Sequence, residues 1–214
     1  MRLSLAPSSR ADASSTLPVL LVLLTLTLCI AFTLATVPAY GQGGAAFDPG
    51  ARHPDAPDEI ELFGRFAGAW NAEIRILQDD GTFPEEGTPA RWTFRYILDG
   101  QAIQDEWTSP PPGQPTGDEP RQIGTGLRVY NPAEDHWEMA WISTTQPFVS
   151  TFEAHPAEDG GIVMSGEYPT GNPSRTTFHD VKEDSFSWKL ELQGVGDDPD
   201  AWTEVARIRA TRAK

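Results

Sequence analysis

Asp105 is the residue of this 214-residue chain whose type and surroundings most invite chemistry. Asp99-Gly100 is a two-residue type I′ turn signal between two alternating apolar runs. Pairing outward from it sets Leu98 opposite Gln101, Tyr96 opposite Ile103, Phe94 opposite Asp105 and Trp92 opposite Trp107. Opposed residues share a sheet face, so a carboxylate is expected among aromatic rings on the buried side. A carboxylate there needs a partner. A hydrogen bond from Tyr96, an indole N–H or the backbone would make it structural; otherwise it fixes the polar end of a ligand or moves a proton. Glu204, on the last alternating run with Trp202, Ala206 and Ile208, is expected as a second inward acid. Two such carboxylates are the raw material of an acid/base pair.

Other chemistry finds less support. His136, His155 and His179 fall on the outward phase of their runs, and His53 precedes the first run. A metal or haem centre needs convergent ligands, so neither a metal nor a cofactor is expected. The chain has no His-Glu-x-x-His, Gly-x-Ser-x-Gly or Walker loop,. Gly124-x-Gly126 lies within a strand pattern and is read as relieving crowding or bending the sheet,. The formal net charge of -15 repels phosphate backbones and anionic headgroups, which makes nucleic acid and membrane surfaces poor partners,.

The N-terminus reads as an export signal. Arg2 and Arg10 precede an apolar stretch from Leu17 to Leu34, followed by small residues around Val37, Ala39 and Gly41,. Residues 1–41 are therefore expected to be a signal peptide cut after Ala39 or Gly41, with an uncleaved anchor as the alternative. The single cysteine, Cys29, lies inside that stretch, so a periplasmic or extracellular mature chain would carry no thiol chemistry. Residues 42–60, rich in Gly, Ala, Pro and Asp, are expected to be a flexible tether,. Residues 61–214 then form the domain proper.

Within that domain a short helical turn, Glu61–Ala67, precedes ten alternating runs at 69–77, 89–98, 101–108, 122–130, 136–143, 148–155, 161–168, 174–181, 185–192 and 201–209,. A five-residue loop 131–135 is expected, because it sets Val129 opposite Trp137, Leu127 opposite Met139 and Thr125 opposite Trp141, with Arg128 facing out opposite Glu138,. Ala154 is expected opposite Ile162, Phe152 opposite Met164, Phe178 opposite Trp188 and Thr176 opposite Leu190. Each run has one greasy face and no helix is available to cover it, so the sheet must close on itself or fold into two layers. The expected fold is all-β, a single antiparallel up-and-down barrel of about ten strands. The 13-residue, proline-rich connection Ser109–Arg121 is read as a lid over the barrel mouth or a stiff exposed insertion,.

Phe66-Ala67-Gly68-Ala69-Trp70 resembles the opening of lipocalin-like (calycin) barrels. The stretch Tyr96 to Asp105, with Gly124 to Pro132 and Trp137, is similar to bacterial lipocalin-like proteins of unknown function. The resemblance implies a barrel-closing trio of Gly68, Trp70 and a C-terminal arginine stacked on that Trp. Arg212 has the right phase for this role and Arg209 is the fallback. Three readings follow. The first is an exported protein holding a small, mainly apolar or aromatic molecule, with Tyr96, Asp105, Trp107, Met139, Trp141 and Phe152 lining the pocket. The second is a cofactor-free isomerase or cyclase using Asp105 or Glu204. The third is a structural module of the cell envelope with a filled interior.

Overall fold

Alternation of inward and outward side chains runs the length of ten strands in the computed structural model, which describes residues 48–196 and 198–214. They are β1 (Gly68–Ile76), β2 (Thr88–Ile97), β3 (Ala102–Ser109), β4 (Gln122–Asn131) and β5 (His136–Ser143), then β6 (Ser150–Pro156), β7 (Ile162–Glu167), β8 (Pro173–His179), β9 (Ser185–Gln193) and β10 (Trp202–Arg212). Each pairs antiparallel with the next, and β10 pairs with β1, closing an up-and-down barrel. Closure leaves no unpaired edge, the cost that an open sheet with one greasy face would carry. The expected signal peptide lies outside the described residues.

A 3-10 turn (Asp58–Ile60) runs into the short helix α1 (Glu61–Gly64), and together they plug one end. Ile60, Phe63 and Phe66 are fully buried there, Phe63 edge-on to Trp137 and Phe66 edge-on to Trp70 and Phe186. Edge-to-face aromatic pairs add to the burial of their area, so this end is a solid core. Arg212 lies over the Trp70 ring at 4.2 Å from its centroid and donates to the carbonyls of Ala67, Arg65 and Glu183. Gly68 sits beneath it with φ of 128°, and a Cβ there would crowd the guanidinium.

The tether reading fails for the described part of residues 42–60. The Tyr96 amide donates to Pro49 O at 2.8 Å and the His53 amide to Gly100 O at 3.2 Å, while Ala56 is buried. Gly100 allows this docking, because any side chain on it would strike the backbone of Ala51 to His53. Composition alone suggested a loose segment; hydrogen bonds to β2 and to the β2–β3 turn hold its described part.

The register from Asp99-Gly100 is that of the structure, with Phe94 opposite Asp105 and Trp92 opposite Trp107. The turn itself is longer: the ladder ends at Ile97 and Ala102, and Leu98, Asp99 and Gly100 all have positive φ. At β6–β7 the pairs slide by two, Ala154 meeting Met164 and Phe152 meeting Gly166, which preserves the faces. Phe178 opposite Trp188 and Thr176 opposite Leu190 are as expected.

Two differences change faces. The β4–β5 loop is one residue shorter than expected: Asn131 pairs with His136, Val129 with Glu138 and Arg128 with Met139. Arg128 therefore points inward with Gly124 and Gly126, and Ile123, Leu127 and Val129 stand half-exposed on the outer wall. In β10 a bulge between Glu204 and Ala206 reverses the alternation,. Glu204 consequently faces out, accepting from Arg207 Nε at 2.6 Å, and Trp202 lies outside under the guanidinium of Arg175. Glu204 is thus removed from the acid pair expected of the interior.

Candidate functional site

The half of the barrel away from α1 is hollow. A cavity of about 240 Å³ opens between the C-terminal ends of β1, β3, β5 and β7 and reaches down to Asp105 and Arg128. Its walls are the indoles of Trp92, Trp107, Trp141 and Trp188 with Ile74, Met139, Phe152, Met164, Leu190 and Ile208. Gln122, Gln146, Ser150 and Tyr168 add polar groups near the rim. Gly124 and Gly126 let the side chains of the wall and floor pack close against β4. A Cβ at Gly124 would overlap the Trp141 ring, and one at Gly126 would overlap Asp105 Oδ1. The sequence reading of this pair as relieving crowding is what the packing shows.

Asp105, 0% exposed, and Arg128, 2% exposed, form an ion pair through Oδ1 and Nη1. The other carboxylate oxygen accepts from the Trp92 indole at 2.6 Å. The guanidinium also lies over the rings of Phe63 and Phe94, at 4.9 and 5.6 Å from their centroids. Its Nε has no hydrogen-bond partner among the described residues. The pair is consequently a neutral but strongly polar floor beneath an apolar shaft, where burial removes water that would weaken its field.

Of the residues expected to line a pocket, Asp105, Trp107, Met139, Trp141 and Phe152 do so. Tyr96 does not. It stands at the plugged end, its hydroxyl donating to Glu61 Oε1 at 3.4 Å, and burial followed by the Glu61 carboxylate pushes its phenol above the usual value. Its alternation phase was inward, but the inward positions toward that end belong to the plug. Arg128 is the residue that sequence reasoning missed. The available signal was that it shares parity with Gly124 and Gly126, two positions that leave room for something large.

The proline-rich connection supplies no lining residue: its base is tied by Arg121, which donates to Pro110 O at 2.9 Å and Gln114 O at 2.7 Å, and it stands clear of the cavity. His136, His155 and His179 face outward, and no group of three His, Cys, Asp or Glu side chains converges on a metal position among the described residues. His136 instead pairs with Glu138 at 3.0 Å, and that carboxylate holds its imidazole above the usual value.

A second hollow of about 200 Å³ lies outside the plugged end, beside Tyr130, Asp135 and Trp137. The Tyr130 hydroxyl donates to Asp135 Oδ1 at 2.7 Å, and because that bond needs the protonated phenol, the Tyr130 pKa is pushed up to about 12,. An ultraviolet titration is expected to show one tyrosine ionising in that range. Asp135→Asn should bring it back toward about 10; an unchanged titration curve would remove the carboxylate as the cause.

The chain matches no family model and no curated protein. Among solved structures it is similar to Rv2717c from M. tuberculosis, with a TM-score of 0.50 and 12% identity over 75% of this chain and 100% of that one. It is also similar to the S-type phycobiliprotein lyase CPES from Guillardia theta, with a TM-score of 0.48 and 12% identity over 72% of this chain and 92% of that one. At such identities the first likeness speaks to architecture alone: this chain has a lipocalin-like β-barrel fold.

Proposed function

We propose that the protein is an exported carrier or sensor that holds one small, mainly apolar or aromatic molecule inside its barrel. The observation that carries this reading is the cavity of about 240 Å³, walled by four indoles and open at one end while the other end is packed solid. An apolar cavity of roughly 150 Å³ already takes benzene, and ligand pockets commonly begin at about 300 Å³. A guest of one or two rings suits the space.

The catalytic reading loses its second acid, because Glu204 lies on the outer wall. Asp105 is engaged on both oxygens, by Arg128 and Trp92. A group so held is better placed to orient a guest than to exchange protons with one. Export rests on Arg2, Arg10, the apolar stretch Leu17–Leu34 and the small residues that follow it,.

Native mass spectrometry of protein recovered from its host tests both parts at once, since the mass reads the mature N-terminus as well as any guest. The expected result is a chain starting near residue 40 or 42 with a co-purifying small molecule. Ala206, buried on the cavity wall, offers the matching variant. Ala206→Phe should place a ring in the guest's space and weaken binding at least about tenfold, with the unfolding transition retained. Binding unchanged by that substitution would place the guest elsewhere.

A further inference from the structure

We infer that the cavity selects uncharged aromatic molecules bearing a carbonyl-type hydrogen-bond acceptor and rejects the corresponding carboxylates. The inference rests on the binding reading above and names its ligand class. Its basis is the state of charge at the floor. An arginine buried at the bottom of an apolar barrel would by itself be a carboxylate trap, since a guanidinium matches a carboxylate in both charge and fork geometry. Here that role is filled from within, because Asp105 is fully buried and paired with Arg128 through Nη1. A guest carboxylate would bring a second negative charge to one guanidinium. Like charges sharing a dry site repel, and the anion would have left water to reach it.

A neutral oxygen meets no such repulsion. A guanidinium has five N–H donors; those on Nη1 serve Asp105, and Nε, though without a partner, is buried beyond a guest's reach. The rim supplies uncharged donors instead. The Trp107 indole, a donor only, points to Gln122 Oε1 at 2.9 Å, which leaves the Gln122 amide hydrogens as donors,. Gln146 donates to the Tyr168 oxygen at 3.0 Å, so the Tyr168 hydroxyl hydrogen is directed elsewhere. The rim thus offers donors to an acceptor-bearing guest, the four indoles below it offer ring faces, and the floor offers no uncompensated positive charge to an anion,.

Two matched pairs of probes test this by calorimetric titration at neutral pH: acetophenone against benzoate, and 2-acetylnaphthalene against 2-naphthoate. Within each pair the shapes are nearly the same and the charge differs. The ketone is expected to bind at least about tenfold tighter than the carboxylate, a difference of about 1.4 kcal/mol. Asp105→Asn should move that ratio toward the carboxylate by at least about tenfold, because it leaves Arg128 as an unneutralised cation. Carboxylates binding the unaltered protein as tightly as ketones would overturn the inference while leaving the cavity's ligand role standing. If neither member of either pair binds, the selectivity and the aromatic-guest reading fall together. A folded Asp105→Asn protein with an unchanged ratio would overturn the part assigned to Asp105, and if that variant does not fold, the comparison on the unaltered protein decides.

Discussion

Replacing Arg128 by Met is expected to lower the stability of the barrel by about 3–5 kcal/mol, the usual consequence of removing one partner from a buried ion pair. The reason lies in what remains. Asp105 would keep the Trp92 indole on one oxygen and lose the guanidinium on the other, in a position with no access to water. The stacking of Arg128 on Phe63 and Phe94 would go as well. Set against a typical total of about 5–15 kcal/mol, such a loss is a large fraction of what keeps a domain folded. The double variant Asp105→Leu with Arg128→Met should recover much of it, because two apolar groups replace the pair and no charge is stranded. Urea unfolding followed by tryptophan fluorescence measures all three variants. A single-variant loss below about 1 kcal/mol, or losses that simply add in the double variant, would show that the two charges do not support each other.

Trp70→Ala should cost a similar amount, about 3–5 kcal/mol, through a different cause. Trp70 is almost fully buried, packs edge-on to Phe66 and Phe186, and donates its indole N–H to Phe66 O at 2.7 Å. Removing the ring opens a void in a solid region and takes away the surface on which Arg212 lies. Three carbonyls bound by Arg212 join the C-terminal strand to the segment after α1 and to Glu183, so the plug should loosen. The cavity is at the other end and its lining does not include Trp70. Guest binding, measured below the unfolding transition, should therefore persist while the midpoint of urea unfolding falls. Loss of binding without loss of stability would show that the two ends are not separate in this way.

The fold was legible because every strand except β4 and the start of β10 carries most of its large apolar residues on one parity. Period-two alternation needs only neighbouring residues to be read, and closure follows from ten greasy faces with no helix to cover them. The exceptions have local causes. β4 turns Gly124, Gly126 and Arg128 inward and leaves Ile123, Leu127 and Val129 outside. A rule that sends the greasier parity inward selects the wrong loop length there, since it presumes a filled interior. In β10 the bulge after Glu204 moves two residues to the opposite face. The charge of Glu204 in an otherwise apolar phase was the available hint.

Within the site, the indoles and Asp105 could be placed from the turn chemistry of Asp99-Gly100, because a hairpin register is a short-range property. Arg128 could not be, as its inward position is stabilised by Asp105 on the adjacent strand, 23 residues away in sequence. Nor could the exclusion of Tyr96, which depends on where α1 and Phe63 fill the barrel.

By itself, then, the order of residues determined a closed ten-stranded wall with an aromatic lining, since alternation and turn chemistry act between neighbours. The tertiary structure alone decided that one half of the interior is solid and the other empty, and that the one inward acid among the described residues is neutralised by an inward arginine. Those outcomes depend on how side chains from distant strands share one fixed volume, and on whether two buried charges, each unfavourable alone, arrive together.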